Sequence, residues 1–342
     1  MEVQVQFMIT KESMNYHCSK IIITLVCLSF SLGVHSQDYK WFYTKEKQCR
    51  EFEYARNYEA AVRICNEIIA HPIDPENSIS RSISIKGDAC FRLGHYYLHA
   101  HYLKYDLQKA ISYLEMAANT GTYFYMPELY LMMIYNLGSY GVCDYEKSFY
   151  WLKRGAEKHS VMKYLLGEVY EYGYTNFITN NGAMNVFKTT SQILAFPNVT
   201  LNHQTAYTYF LDFYDSNSSY LNKDLGKEKV SWNTPPVSKN RVTELDVAKA
   251  LEEGTYLTRN FGKAYEFYND NLPSIDELDK ALSSYSTPQI ADALFRFSQL
   301  IRFGRGTLAN KKRADLYLKY AALCGSKKAQ ATIDSKIVSV ED

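Results

Sequence analysis

Apolar side chains along this chain return every three or four residues, in blocks that come in pairs. "SIKGDACFRLGHYYLHAHYL" (Ser84–Leu103), "MPELYLMMIYNLGSYG" (Met126–Gly141) and "TPQIADALFRFSQLIRFGRG" (Thr287–Gly306) each read as one amphipathic helix. Each is followed by a second helical block: "YDLQKAISYLEMAANTG" (Tyr105–Gly121), "CDYEKSFYWLKRGAEKH" (Cys143–His159) and "ANKKRADLYLKYAALCG" (Ala309–Gly325). These second blocks superpose on one another without a gap.

The superposed columns have a physical sense. Asp106, Asp144 and Asn310 share a column just before the apolar run, where a short polar side chain accepts the orphan N–H groups of a first helical turn. Lys109, Lys147 and Arg313 form the next column, followed by Ala110, Ser148 and Ala314. Seven residues on stand the small pairs Ala117-Ala118, Gly155-Ala156 and Ala321-Ala322, two turns away on the same helix face, where lack of bulk admits a neighbouring helix. Gly121 and Gly325 stand where such a helix ends. A hairpin repeated at this spacing, 38 residues between Ala110 and Ser148, cannot bury its apolar face alone and stacks on its neighbours. The expected fold is all-α, a right-handed α-solenoid of antiparallel helix pairs.

The pattern resembles the Sel-one-like repeat family of the tetratricopeptide-repeat superfamily. "RFGRGTLANKKRADLYLKYAALCGSKKAQ" carries its turn-plus-helix signature with Gly304, Gly306, Asn310, Ala314, Ala321, Ala322 and Gly325 in place. Gly141, Asp144, Lys147, Ala156 and Gly167 match it in the central copy. "YARNYEAAVRICNEIIAHP" (Tyr54–Pro72) is similar to an ordinary tetratricopeptide hairpin, and "NNGAMNVFKTTSQIL" after Tyr174 reads as a degenerate copy. The resemblance implies a binding scaffold for a protein or peptide partner, or an adaptor regulating a membrane complex. Some cysteine-rich secreted members are linked to β-lactam binding or hydrolysis, but these carry a cysteine pair in every repeat. Here only Cys49 and Cys65 can pair within one hairpin: folding about a turn near Arg56–Asn57 brings them opposite each other, so a disulfide is available.

The ends and the middle break the pattern. Lys20 precedes an apolar run, Ile21–Val34, with small residues before Gln37; about 14 residues is short for a membrane span and fits a secretory leader. Residues 1–36 are therefore expected to be a signal peptide, with Met14 as a second candidate start, leaving a periplasmic or secreted chain without a stable membrane span. The repeats then run over 37–195. Across 196–282 the pattern lapses into a degenerate or inserted helical segment, with Ser216–Asn240 as a polar loop. A last repeat covers 283–336, and 337–342 reads as a tail.

Composition narrows the chemistry. The net charge is +1, with 38 Lys/Arg against 37 Asp/Glu, a balance that argues against a nucleic-acid binder. Glycine and proline are scarce (16 and 8), which favours helices. The turn glycines at 138–141 and 304–306 lack the Lys-Ser/Thr pair of a phosphate loop and follow no strand, so they read as inter-helix turns. His95 and His99 lie one helical turn apart beside His101, but Tyr96 replaces the glutamate of a zinc-protease signature, so exposed helix-end rings are the expectation. No serine sits in a Gly-x-Ser-x-Gly elbow. No catalytic residue, cofactor or metal is therefore assigned. The 31 tyrosines, crowded around Tyr96, Tyr97, Tyr113, Tyr125, Tyr130 and Tyr135, read chiefly as inter-helix packing. "NVT" at Asn198 and "NSS" at Asn217 match the glycosylation pattern and carry weight only in a eukaryotic host.

Overall fold

The computed structural model describes residues 39–73, 80–100, 103–120, 125–178, 191–221 and 242–341. The expected leader at 1–36, His101, and the part of the expected polar loop at 222–240 lie outside them. The fold is all-α, built of antiparallel helix pairs of the solenoid class, with one two-stranded sheet among the described residues. Two compact units divide it: residues 1–134 with 138–141, and residues 135–137 with 142–342.

The first unit holds α1 (39–54), α2 (Tyr58–Ala70), α3 (Ser80–His99), α4 (Leu107–Thr120) and most of α5 (Met126–Leu137). Asn57 opens α2 by accepting the Ala60 N–H at 3.2 Å, after a turn in which Arg56 takes positive φ. Phe42, Ile64, Cys65, Ile68, Ile85, Ala89, Leu93 and Tyr96 form the core between α1, α2 and α3. Above that core Glu53 accepts from both the Arg92 guanidinium and the Tyr96 hydroxyl, tying α1 to α3. Gly94 lets α3 close on α4: a Cβ there would lie 2.9 Å from Leu114 Cγ.

The second unit holds α6 (Tyr145–Lys158), α7 (Ser160–Tyr172), β1 (Tyr174–Ile178), β2 (Ser191–Ala195), α8 (His203–Leu221), α9 (Glu244–Glu253), α10 (Phe261–Asn271), α11 (Ile275–Ala281), α12 (Pro288–Phe303), α13 (Lys311–Leu323) and α14 (Lys327–Glu341). The strands pair antiparallel, with Tyr174 opposite Ala195 and Ile178 opposite Ser191. Within this unit Phe297 of α12 lies against the rings of Tyr265 (5.4 Å) on α10 and Tyr317 (4.9 Å) on α13. The Arg313 guanidinium sits 5.4 Å over Phe297 while donating to the Tyr265 hydroxyl and to Asn269. Arg296 of α12 is shared between Asp292 (2.8 Å), Glu252 (3.3 Å) and Glu253 (2.6 Å), so α9 and α12 are joined by a partly buried network that exceeds isolated surface pairs in worth.

Three expectations change here. Of the stretch ending in "SQIL", residues 180–190 lie outside the described residues, and Ser191–Leu194 belong to strand β2 and not to a helix: Thr175 and Leu194 are buried cross-strand partners, while Ile193 and Ala195 on either side of Leu194 are exposed. The first six residues of the expected polar loop continue α8 to Leu221. The expected C-terminal tail continues α14 as far as Glu341.

Candidate functional site

One hydrogen bond recurs through the fold and defines its unit. The N-cap residue of each second helix donates its backbone N–H to a carbonyl nine residues earlier, in the last turns of the first helix: Asp106 to Tyr97, Asp144 to Tyr135, Asn260 to Leu251, and Asn310 to Ile301. The same side chains accept from the backbone N–H three residues on, at Lys109, Lys147, Lys263 and Arg313, at 2.9–3.0 Å. Four residues past each cap sits a fully enclosed small side chain: Ala110, Ser148, Ala264 and Ala314, all at 0% exposure.

A fifth hairpin obeys the same geometry with an insertion in its turn. Asn202 donates to the Tyr170 carbonyl, caps the Thr205 N–H, and is followed at the fourth position by enclosed Ala206. The stacked pair Tyr170–Tyr209 (6.0 Å, 5°) repeats the stacked pair Tyr97–Tyr113 (5.8 Å, 6°) at the same positions relative to the cap. Thus α7 and α8 are a repeat hairpin, and the β1–β2 ribbon is spliced into its turn after Gly173, which takes positive φ. Gly167 on α7 faces Phe210 on α8 so closely that a Cβ would lie 2.7 Å from the ring.

The ribbon builds the candidate site. Phe196, just beyond β2, is fully buried with its N–H on the Gly173 carbonyl, and Thr175 donates to the buried Glu168 carboxylate. Asn136 completes the anchoring, donating to the Ala195 carbonyl at 2.8 Å and to Ser148 Oγ at 3.2 Å. The chain leaving the ribbon then runs along the outer face of α6 and leaves a cavity of about 280 Å³, lined by Tyr145, Glu146, Phe149, Tyr150, Lys153, Phe196, Asn198 and Val199. Phe149 forms its floor, edge-on to Phe196 at 6.0 Å and under the Lys153 ammonium at 4.9 Å. Tyr150 stands at the rim, 51% exposed. A concave aromatic wall with one ammonium, one carboxylate and one amide suits a peptide side chain and its neighbouring main chain.

The family model described as Sel1 repeat matches residues 87–121, 133–160, 244–269 and 291–326, which are the copies that share the capping geometry without an insertion. The chain is a Sel1-repeat protein. Two solved structures are similar to it. One is a Sel1 repeat protein from Oxalobacter formigenes, 15% identical, with 83% of this chain and 86% of that chain covered and a TM-score of 0.36. The other is a protective antigen present in uropathogenic Escherichia coli strains displaying an SLR fold, 14% identical, with 83% of this chain and 50% of that chain covered and a TM-score of 0.36. No curated protein matches the sequence.

The repeat residues singled out from the sequence of this Sel1-repeat protein fall into two groups. Asp144, Asn310, Ala314, Ala321 and Ala156 serve packing and capping, and Gly304 and Gly306 shape the last inter-helix turn with positive φ. Gly141 and Gly325 take positive φ in open space. Ala322 is partly buried, and Lys147 lies 5.2 Å over the Tyr135 ring. The Sel1 repeat at 244–269 lies inside the segment where the pattern was expected to lapse; its Asn260 cap was hidden because Gly262 and Asn271 replace the bulkier and smaller residues of the other copies. Phe149, Tyr150 and Lys153 were not singled out, and only the path of the ribbon marks them.

The cysteines and histidines are placed as follows. Cys49 and Cys65 are buried with their sulfurs 3.4 Å apart and are not joined. The Cys65 contact holds the Cys49 thiol below its usual range, and the same contact together with burial pushes Cys65 well up. Burial, with the Glu46 carboxylate nearby, lifts Asp88 to about 6. His95 is buried, against the expectation of an exposed ring, because Phe91, Tyr130 and His99 enclose it at 6.2, 5.7 and 4.4 Å. Among the described residues no group of three or more His, Cys, Asp or Glu side chains is arranged to hold a metal ion. No helix among them is long and apolar enough to cross a membrane.

Proposed function

We propose that this chain is an exported, non-catalytic scaffold whose α6–ribbon cavity receives a peptide segment of a protein partner. Sel1 repeats generally mediate protein interactions. The observation that carries the reading to this site is the spliced ribbon, which departs from the turn of the four matched repeats and leaves an aromatic cleft beside α6. A partner drawn from a membrane complex would make the chain an envelope adaptor, a narrower version of the same reading. The non-catalytic part rests on the sequence, which holds no nucleophile elbow, phosphate loop or zinc-protease signature.

Affinity capture from the host envelope tests it, using the chain from Gln37 onward beside a Tyr150→Ala, Lys153→Glu variant. Both side chains are exposed, so the variant is expected to fold. A partner held by the parent and lost by the variant supports the reading; a partner held equally by both moves binding elsewhere, and retention of nothing by either overturns it. Point changes are the right tool, because deleting 196–282 would remove α8, α9 and α10 from the core. Export carries its own expectation. In an oxidising compartment Cys49 and Cys65 join, closing a loop of 16 residues and adding about 3 kcal/mol of stability. Thiol labelling of chain taken from its host under denaturing, non-reducing conditions checks this; label on both cysteines would count against export.

A further inference from the structure

The last repeat carries a second surface of different chemistry. Lys312, Leu316, Lys319 and Leu323 stand on α13 at spacings of four, three and four, and so form one stripe along the helix. All four are exposed, Leu316 at 43% and Leu323 at 55%. The stripe spans about 16 Å, three helical turns. Beyond its N-terminal end the inter-helix turn holds Leu308, 90% exposed.

Charge decides what such a stripe receives. From Arg302 to Lys328 the chain has eight Lys/Arg and a single carboxylate, Asp315, although the protein as a whole is nearly neutral. Asp315 is taken by Arg302, and Asp279 of α11, which packs beside α13, accepts from Tyr320. Arg313 is held by Tyr265 and Asn269, and Lys328 faces Asp292 at 3.7 Å. Lys312 and Lys319 enter no ion pair among the described residues; Lys319 lies 5.5 Å over the Tyr320 ring, which leaves its charge in place. Two leucines flanked by two uncompensated ammonium groups match a helix with apolar residues at i and i+7 bordered by carboxylates.

We propose that the α13 face binds an acidic amphipathic helix of a protein partner. The proposal rests on the scaffold reading above but uses a separate site, so the two can fail independently. An anionic membrane fits less well: a straight stripe of alternating Leu and Lys matches another helix, while a bilayer would draw on a broad apolar plane.

The test is selection of a displayed library of 16-residue helical peptides on the chain from Gln37 onward, followed by anisotropy titration of the enriched peptides. Two variants accompany it, Lys312→Glu with Lys319→Glu, and Leu316→Ser with Leu323→Ser. Lys312 lies in the first turn of α13, where a glutamate favours the helix, and circular dichroism confirms folding. Enriched peptides should carry Asp or Glu beside apolar residues, and each variant should weaken them at least tenfold. Peptides that bind both variants as well as the parent overturn this site while leaving the scaffold reading intact. Enrichment of nothing overturns this site, while the capture experiment on the Tyr150 and Lys153 variant decides the scaffold reading separately. Lys312/Lys319-dependent pelleting with phosphatidylglycerol vesicles, or self-association lost in the charge variant, overturns it in favour of a lipid surface or a second copy.

Discussion

The outer faces of α6 and α13 occupy the same positions relative to their caps and have become different surfaces. Glu146, Tyr150, Lys153 and Glu157 on α6 align with Lys312, Leu316, Lys319 and Leu323 on α13. Glu146, Tyr150 and Lys153 of the first set line a cavity beside the spliced ribbon; the second set lies open and is basic and apolar. Inward, the two helices are alike: a polar cap, an enclosed small residue four on, and a further small pair seven beyond that. The lesson is a division of labour by column. Inward columns are fixed by the closeness of the neighbouring helix, and outward columns answer only to solvent or to a partner.

That division can be broken at the turns, in the core and on the surface, in falling order of expected effect. Gly306 takes positive φ and a Cβ there would run into the Phe261 carbonyl, so Gly306→Ala is expected to cost about 2–5 kcal/mol. Gly141 has the same sign of φ with open space around it, and Gly141→Ala is expected to cost only about 1 kcal/mol. Denaturant titration of the two variants separates packing from backbone strain; equal losses would mean that the close approach of Phe261 to Gly306 adds nothing to the strain of the positive φ.

Next comes the hairpin that the family model passes over. If α7 and α8 are a repeat pair, Ala206 is an inward column, and Ala206→Leu is expected to overpack it by roughly 1–3 kcal/mol, as Ala314→Leu does in the last repeat. A neutral Ala206→Leu would remove α8 from the repeat series. The smallest effect is expected outside. Rebuilding the α13 stripe in the image of α6, with Lys312→Glu, Leu316→Tyr and Leu323→Glu, should change stability by less than about 0.5 kcal/mol in the same titration. A loss above about 1 kcal/mol would show that the stripe carries structure and is not a free surface.

The sequence by itself determined the repeat. Caps, small pairs and turn glycines are local demands, each met by one or two residue types, so aligned copies expose them directly: Asp144 with Asn310, Ala110 with Ala314. It did not reveal the copy at 244–269, where Gly262 and Asn271 blur the columns, or the α7–α8 pair, whose cap at Asn202 lies far from Tyr170 along the chain but hydrogen-bonds to it. Only the tertiary structure decided these, together with the burial of His95 and the cavity at Phe149. Each depends on residues distant in sequence arriving at one place. Hydrophobic spacing records which face of a helix is buried, but it does not record what covers the other face.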